Sequence, residues 1–264
     1  MSDFLAPKQR ITVERLLSVG SVGVILLLWQ VTVTLQLVPD ILIPAPRKVI
    51  NCFFVIIAEG YKGNSLLTHL LDSMARLLGS FALVIVTALP LGLLCGANTR
   101  ISAVVDPLVE FYRPLPPLAY YTLLIIWMGI ENSSKVTLLY LAGFAPVYIA
   151  CTAAVRKIRQ DFINGAYTLG ASKRQVFWHV ILPSCLPDIF TGLKTSLGVA
   201  YSTLVAAEMV AAVSGIGWMV LDASKFLRSD VIFVGIFVMG VTGMLLDWGL
   251  RMLEEKMVPW RGKE

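Results

Sequence analysis

Charged side chains inside apolar runs are the residues of this sequence that could do chemistry. Glu208 stands in such a run with no cation within a helical turn. Asp106, Glu110 and Arg113 interrupt a second run, and Asp72 and Arg76 sit four apart at the edge of a third. A charge in hydrocarbon costs about 2.5–3.5 kcal/mol on insertion scales, so each needs a partner or water. Glu110 and Arg113, three apart on one helix, can pair. They precede Pro114, Pro116 and Pro117, which can bend the helix beside a pathway where Arg113 attracts an anionic group. Asp72 and Arg76 read as an intrahelical pair. Glu208 reads either as a structural carboxylate, protonated or bonded to Ser or Thr on a facing helix, or as part of a translocation pathway or gate.

Other chemistries find no support. His69 and His179 are far apart, lack a carboxylate in motif spacing, and read as interfacial polar residues. Cys52, Cys95, Cys151 and Cys185 form no CxxC pair, so neither a metal site nor a disulfide framework is legible. Phosphate cradling needs a glycine-rich loop ending in Lys-Ser/Thr. The only Gly-Lys here, Gly262-Lys263, is followed by Glu264. The chain is therefore expected to have no catalytic, cofactor or metal residues and not to hydrolyse ATP itself.

The elements that must position these charges are membrane helices. Of the 264 residues, 57% are hydrophobic and only 15% charged, with mean hydropathy +0.77. A soluble domain carries about 25% charged residues. That excludes a disordered chain, an ordinary soluble enzyme and a disulfide-rich secreted domain. A spanning helix needs about 20 apolar residues, and six segments qualify: 16–38, 77–97, 101–128, 136–155, 195–213 and 231–250. Residues 1–15 read as a cytoplasmic N-terminal segment, 16–38 as a retained first helix too long for a signal peptide, and 66–255 as the core. With the N-terminus inside, the inner segments hold 14 Lys and Arg and the outer ones 6. Positive charge stays cytoplasmic, so both termini are placed there. The net charge of +5 then records orientation and not nucleic acid.

Local signals mark helix ends and contacts. Pro39, Pro44 and Pro46 are expected to hold an extended segment, and Asp230 to cap the last span. Ala88, Gly92 and Gly96 form a small-residue stripe suited to close helix packing.

The one long inner loop, 156–186, carries the densest pattern. Asp161 can cap a short helix whose face holds Phe162, Ala166 and Leu169, and Gly170 is placed to end it. Ser172 and Gln175 form a capping box opening a second helix, which Pro183 is expected to terminate. Such a pair of helices can rest on lipid, or serve as a knob for a groove in another protein.

Ala166, Gly170 and Leu182-Pro183 resemble the cytoplasmic-loop signature of ABC importer permeases: Glu-Ala-Ala, three residues, Gly, nine residues, Ile-x-Leu-Pro. Asn164 and Gly165 replace the Glu and first Ala, and Val180-Ile181-Leu182-Pro183 closes the motif. Asp106 to Ala119, Ser202 to Met209 with Gly215-Ile216-Gly217, and Phe226-Leu227 with Asp230-Val231 are similar to the nitrate/sulfonate/taurine group of that family. The form Arg113-Pro114-Leu115-Pro116-Pro117 is most similar to its taurine-importing members.

The resemblance implies an all-α membrane protein of the type I ABC importer permease fold, with six spans and a coupling-helix loop, in the bacterial inner membrane. It implies a homodimer, two cytoplasmic ATP-binding subunits and a periplasmic binding protein. Phe162, Asn164, Gly165, Ala166, Leu169, Gly170, Ser172, Leu182 and Pro183 would contact the ATPase, and Glu110, Arg113 and Glu208 would line the pathway or gate. Taurine or a related sulfonate is the expected cargo, with nitrate, other sulfonates and pyrimidines as alternatives. A zwitterionic sulfonate offers an ammonium to a carboxylate and a sulfonate to an arginine. An ion-coupled carrier with Glu208 as coupling group is the competing class.

Overall fold

The structure, a computed structural model, describes residues 7–260, so parts of the two terminal segments lie outside the described residues. Long apolar runs leave the backbone no partners but its own, and every principal element is a helix. In order these are α1 (Pro7–Thr34), α2 (Pro46–Glu59), α3 (Leu66–Ala97), α4 (Thr99–Tyr112), α5 (Pro117–Met128) and α6 (Asn132–Lys157). There follow α7 (Gln160–Thr168), α8 (Lys173–Val176), a π turn (Phe177–Ile181), α9 (Leu182–Ala211), α10 (Ile216–Lys225) and α11 (Ser229–Met257).

Among the described residues, four helical stretches are long and apolar enough to cross a membrane: 66–97, 132–157, 173–211 and 229–257. The apolar part of α1, Gly20–Thr34, and α5 are shorter. The expected third span is not one helix. Pro114, Pro116 and Pro117 split it into α4 and α5, because proline removes a ladder donor and its ring displaces the preceding carbonyl. Residues 195–213 belong to a longer helix, because Pro183 does not terminate the one before it. The π turn widens the ladder just ahead of that ring, Pro183 enters the first turn of α9, and the helix runs on. Pro46 likewise opens α2, a helix absent from the sequence-based reading, where an extended segment was expected.

The core lies among α3, α6 and α9, where Leu77, Val84, Leu139, Val147, Ile189 and Leu204 are buried together. Small residues bring these helices close. Thr152 donates to the Gly92 carbonyl at 3.1 Å, and Ser196 of α9 donates to the Gly143 carbonyl at 2.7 Å. A Cβ at Gly92 would lie 2.7 Å from the Cys151 Cβ, and one at Gly96 2.6 Å from the Val155 Cβ. The stripe of Ala88, Gly92 and Gly96 therefore packs as its spacing predicts. Gly92→Ala is expected to destabilise the fold by about 1–3 kcal/mol through overpacking. Its lowered thermal midpoint is the readout, with Gly79→Ala, whose new methyl meets nothing within 4 Å, as the neutral control.

A smaller cluster joins α2, α10 and α11 through Cys52, Ile56, Met219, Val231 and Val234. Trp29 of α1 stacks on Phe233 of α11 with ring centroids 5.3 Å apart and donates to the Pro44 carbonyl at 3.0 Å. The outward faces of α1 and α11, including Ile25, Leu27, Phe237 and Met244, are apolar and exposed, as a lipid-facing surface requires. Asp230 does not cap α11. Arg228 occupies that position and Asp230 turns back to it, accepting from Nε and Nη2 at 3.0 Å each.

Candidate functional site

The inner loop folds into an elbow. Arg159 takes the N-cap position of α7, and Asp161 lies in the first turn, not at the cap. A carboxylate there still favours the positive end of the helix dipole. At the other end Gly170 adopts φ +84°. Its N–H donates to the Tyr167 carbonyl at 2.9 Å, and the Ala171 N–H reaches the Ala166 carbonyl at 3.1 Å. This pair of bonds is a Schellman ending, which needs a left-handed residue at that position. Two residues on, the Ser172 hydroxyl accepts from the Gln175 N–H while the Gln175 side chain accepts from the Ser172 N–H. Both sides of the hinge, the end of α7 and the start of α8, are thus closed by local chemistry legible in the sequence.

No residue of α7 is buried. Leu169 is 90% exposed and Phe162 59%, while Asn164 and Gly165 are also exposed and Ala166 is half-buried. Beside Phe162 a cavity of about 500 Å³ is lined by Lys157, Arg159, Pro183, Asp188 and Trp260. Ser172 is exposed, whereas Leu182 and Pro183 are half-buried where the elbow joins α9.

The charges expected inside the membrane are paired differently from the sequence-based reading. Asp72 does not take Arg76. The Arg76 guanidinium instead reaches Glu208 of α9 at 2.6 Å, and both side chains are buried, at 6% and 1% exposure. Ser73 donates to the same carboxylate at 2.7 Å, and the Gly217 N–H donates to its other oxygen at 2.9 Å. Arg76 also donates to Asn132 at 2.8 Å and to the Ser214 carbonyl at 3.0 Å. Glu208 therefore faces no aqueous path in this conformation. It knots α3, α9 and the α9–α10 turn. Gly215, at φ +121°, passes so close that a Cβ there would lie 2.4 Å from the Glu208 carboxyl carbon.

His69 belongs to the same knot and is fully buried. Its Nδ1 accepts from the Gly215 N–H at 3.1 Å, leaving Nε2–H to donate to the Tyr61 carbonyl at 3.3 Å. His69, Ser73 and Arg76 fall at i, i+4 and i+7 on α3, a polar stripe whose periodicity was available in the sequence. Nearby, the Tyr61 hydroxyl donates to Asp222 at 2.9 Å. Burial and that bond push the phenol up to about 12. His179 remains on the exposed surface, against its own helix.

Glu110 and Arg113 do not pair with each other. Among the described residues neither side chain enters an ion pair, while their neighbour Asp106 accepts from Ser102 and Tyr148, each at 2.5 Å, and from Arg156 at 3.0 Å. Two cavities open along the α4–α5 break. One, of about 610 Å³, includes Tyr112, Arg113 and Tyr120 in its wall. The other, of about 460 Å³, includes Asp106, Glu110, Arg113 and Arg156. Among the described residues no group of three or more His, Cys, Asp or Glu is arranged to hold a metal ion.

Comparison with known proteins places this architecture. Residues 88–259 match the model of the family described as "Binding-protein-dependent transport system inner membrane component". The taurine transport system permease protein TauC of Escherichia coli is 42% identical over 248 residues, covering 94% of this chain and 90% of that protein. A putative aliphatic sulfonates transport permease protein, SsuC of Bacillus subtilis, is 35% identical, covering 90% of this chain and 85% of that protein. The bicarbonate transport system permease protein CmpB of Synechocystis is 28% identical, covering 89% of this chain and 85% of that protein. Among solved structures, a chain of the MetNI methionine ABC transporter in inward-facing conformations shares the fold. Its TM-score is 0.64 at 16% identity, over 73% of this chain and 95% of that one. The helical order, the elbow and these matches together show that this chain belongs to the binding-protein-dependent transport system inner membrane components and is a multi-pass inner-membrane permease of the type I ABC importer fold.

Proposed function

We propose that this permease carries taurine or a related small sulfonate inward, driven by two separate ATP-binding subunits that grip the α7 elbow of each copy in a homodimer. The observation that carries the coupling role is a helix with no buried residue, closed at its C-terminal end by the Gly170 turn, presenting Phe162 and Leu169 outward. A large apolar side chain at 90% exposure beside a rigid Schellman turn suits a groove in a partner protein. On this reading Asn164, Gly165, Ala166 and Ser172 lie along the gripped surface, and Leu182-Pro183 passes its motion into α9. Six membrane crossings, with α4–α5 together making the third, put both termini and the elbow in the cytoplasm, and a periplasmic binding protein delivers cargo opposite. The sulfonate assignment is supported by the relatives named for taurine and aliphatic sulfonates.

ATP binding draws the two ATPases together, the elbows follow, and the helix bundles rock between inward- and outward-open states. Each ligand shifts that balance only by its differential affinity for the two states. The competing ion-coupled carrier would need Glu208 free to exchange protons with water. Arg76, Ser73 and the Gly217 N–H already occupy both its oxygens. The test is uptake of labelled taurine into proteoliposomes holding the permease with its ATPase and binding protein. Uptake is expected only with ATP and all three components. Uptake by the permease alone, abolished by collapsing an ion gradient, would replace this reading with the carrier.

A further inference from the structure

We infer that Glu110 and Arg113 together form a transit site for a zwitterion, with Arg113 taking the anionic group and Glu110 the ammonium. This rests on the cargo assigned above and adds to it a recognition site within the permease itself. The geometry points there because the other carboxylates of this region are already engaged. Glu208 is occupied by Arg76 and Ser73, and Asp106 by Ser102, Tyr148 and Arg156. Glu110 and Arg113 are both exposed, opposite charges with no ion pair to each other or to any other described residue, and both stand in the wall of the same cavity of about 460 Å³.

The backbone stays helical through Arg113, whose φ and ψ are −55° and −36°. Side chains three apart on a helix have Cβ atoms about 5–6 Å apart, close to the reach of an ammonium and a sulfonate joined by two carbons. Arg113 also enters the wall of the adjoining cavity of about 610 Å³, whose lining holds no carboxylate. That cavity includes Pro117, the first residue of α5, so the positive end of a helix dipole borders it as well. The Tyr112 hydroxyl is buried in the same wall with no hydrogen-bond partner among the described residues, and buried polar groups ordinarily have one. One cavity thus suits an anionic head; in the other, Arg156 and Lys157 are already paired with Asp106 and Asp188, which leaves Glu110 for the cationic tail. Arg113 belongs to both.

Charge pairing inside a site differs from a merely structural pair in what each substitution does to ligand choice. The experiment measures direct binding of labelled taurine, and of ethanesulfonate, which lacks the ammonium, to the permease–ATPase complex in nanodiscs without binding protein. Glu110→Gln is expected to weaken taurine binding at least tenfold and leave ethanesulfonate within about twofold. Arg113→Gln is expected to weaken both at least tenfold, and Arg113→Lys to recover part of the loss. Binding unchanged in both variants, or lost equally for both ligands in both variants, overturns the site. So does a wild-type complex that binds no taurine while the full assembly imports it; that result leaves the cargo assignment standing. A full assembly that imports no taurine overturns the cargo assignment instead, and the zwitterion site with it.

Discussion

Replacing Arg76 with alanine should destabilise the permease by about 3–5 kcal/mol, because it leaves the Glu208 carboxylate buried without its cation. Glu208 is 1% exposed, so water cannot take the place of the guanidinium without opening the α3–α9 contact. The same substitution removes the bonds to Asn132 and Ser214, loosening the α9–α10 turn as well as the helix pair. A second change that removes the orphaned charge should return much of the loss. Arg76→Met with Glu208→Leu is expected to melt well above Arg76→Ala alone, since a buried pair replaced by apolar groups of similar volume is often neutral. Thermal midpoints of the purified proteins decide it. An Arg76→Ala protein that melts with the parent would show that the knot carries no stability.

That knot marks where sequence reasoning stopped. The helices, the glycine stripe and the elbow depend on local rules of period, capping and positive φ, and Gly170, Ser172 and Gln175 obey them without help from distant residues. The Arg76–Glu208 pair joins residues 132 positions apart. Nothing near Glu208 in the chain names its partner, and Asp72 offered a nearer one for Arg76. The polar stripe of His69, Ser73 and Arg76 on an otherwise apolar helix was the missed signal. It says that one face of α3 meets something polar, though not what. The prolines misled differently. Pro46 was expected in an extended segment yet opens α2, where the missing N–H costs nothing, and Pro183, expected to terminate a helix, is absorbed by the π turn ahead of it. The charges within apolar runs were legible as a group but not in their pairing. Tertiary contacts took Asp106 and Glu208 out of play and left Glu110 and Arg113.

Gly170→Val is the second substitution with a large expected effect. A Cβ at this position meets nothing within 4 Å, so the penalty lies in the backbone alone. Holding an L-residue at φ +84° costs roughly 1–2 kcal/mol, and a β-branched one resists it most. Relief of that strain unwinds the Schellman ending and swings Leu169 away from its fixed direction. The core among α3, α6 and α9 does not touch this residue, so insertion and thermal midpoint should hold. Retention of the ATPase through purification should fall about tenfold, the equivalent of about 1.4 kcal/mol, with uptake falling in parallel.

The proposed grip on α7 is tested most directly at its tip, by placing a cysteine at Leu169 and asking what it crosslinks to in the intact membrane. Background is low because Cys52, Cys95, Cys151 and Cys185 are all buried. Leu169→Cys is predicted to crosslink to the ATP-binding subunit with a short reagent, and ATP is predicted to change the yield. A cysteine there that reacts only with lipid-soluble reagents, and never with the ATPase, would show the elbow lying in the headgroups and contradict the account.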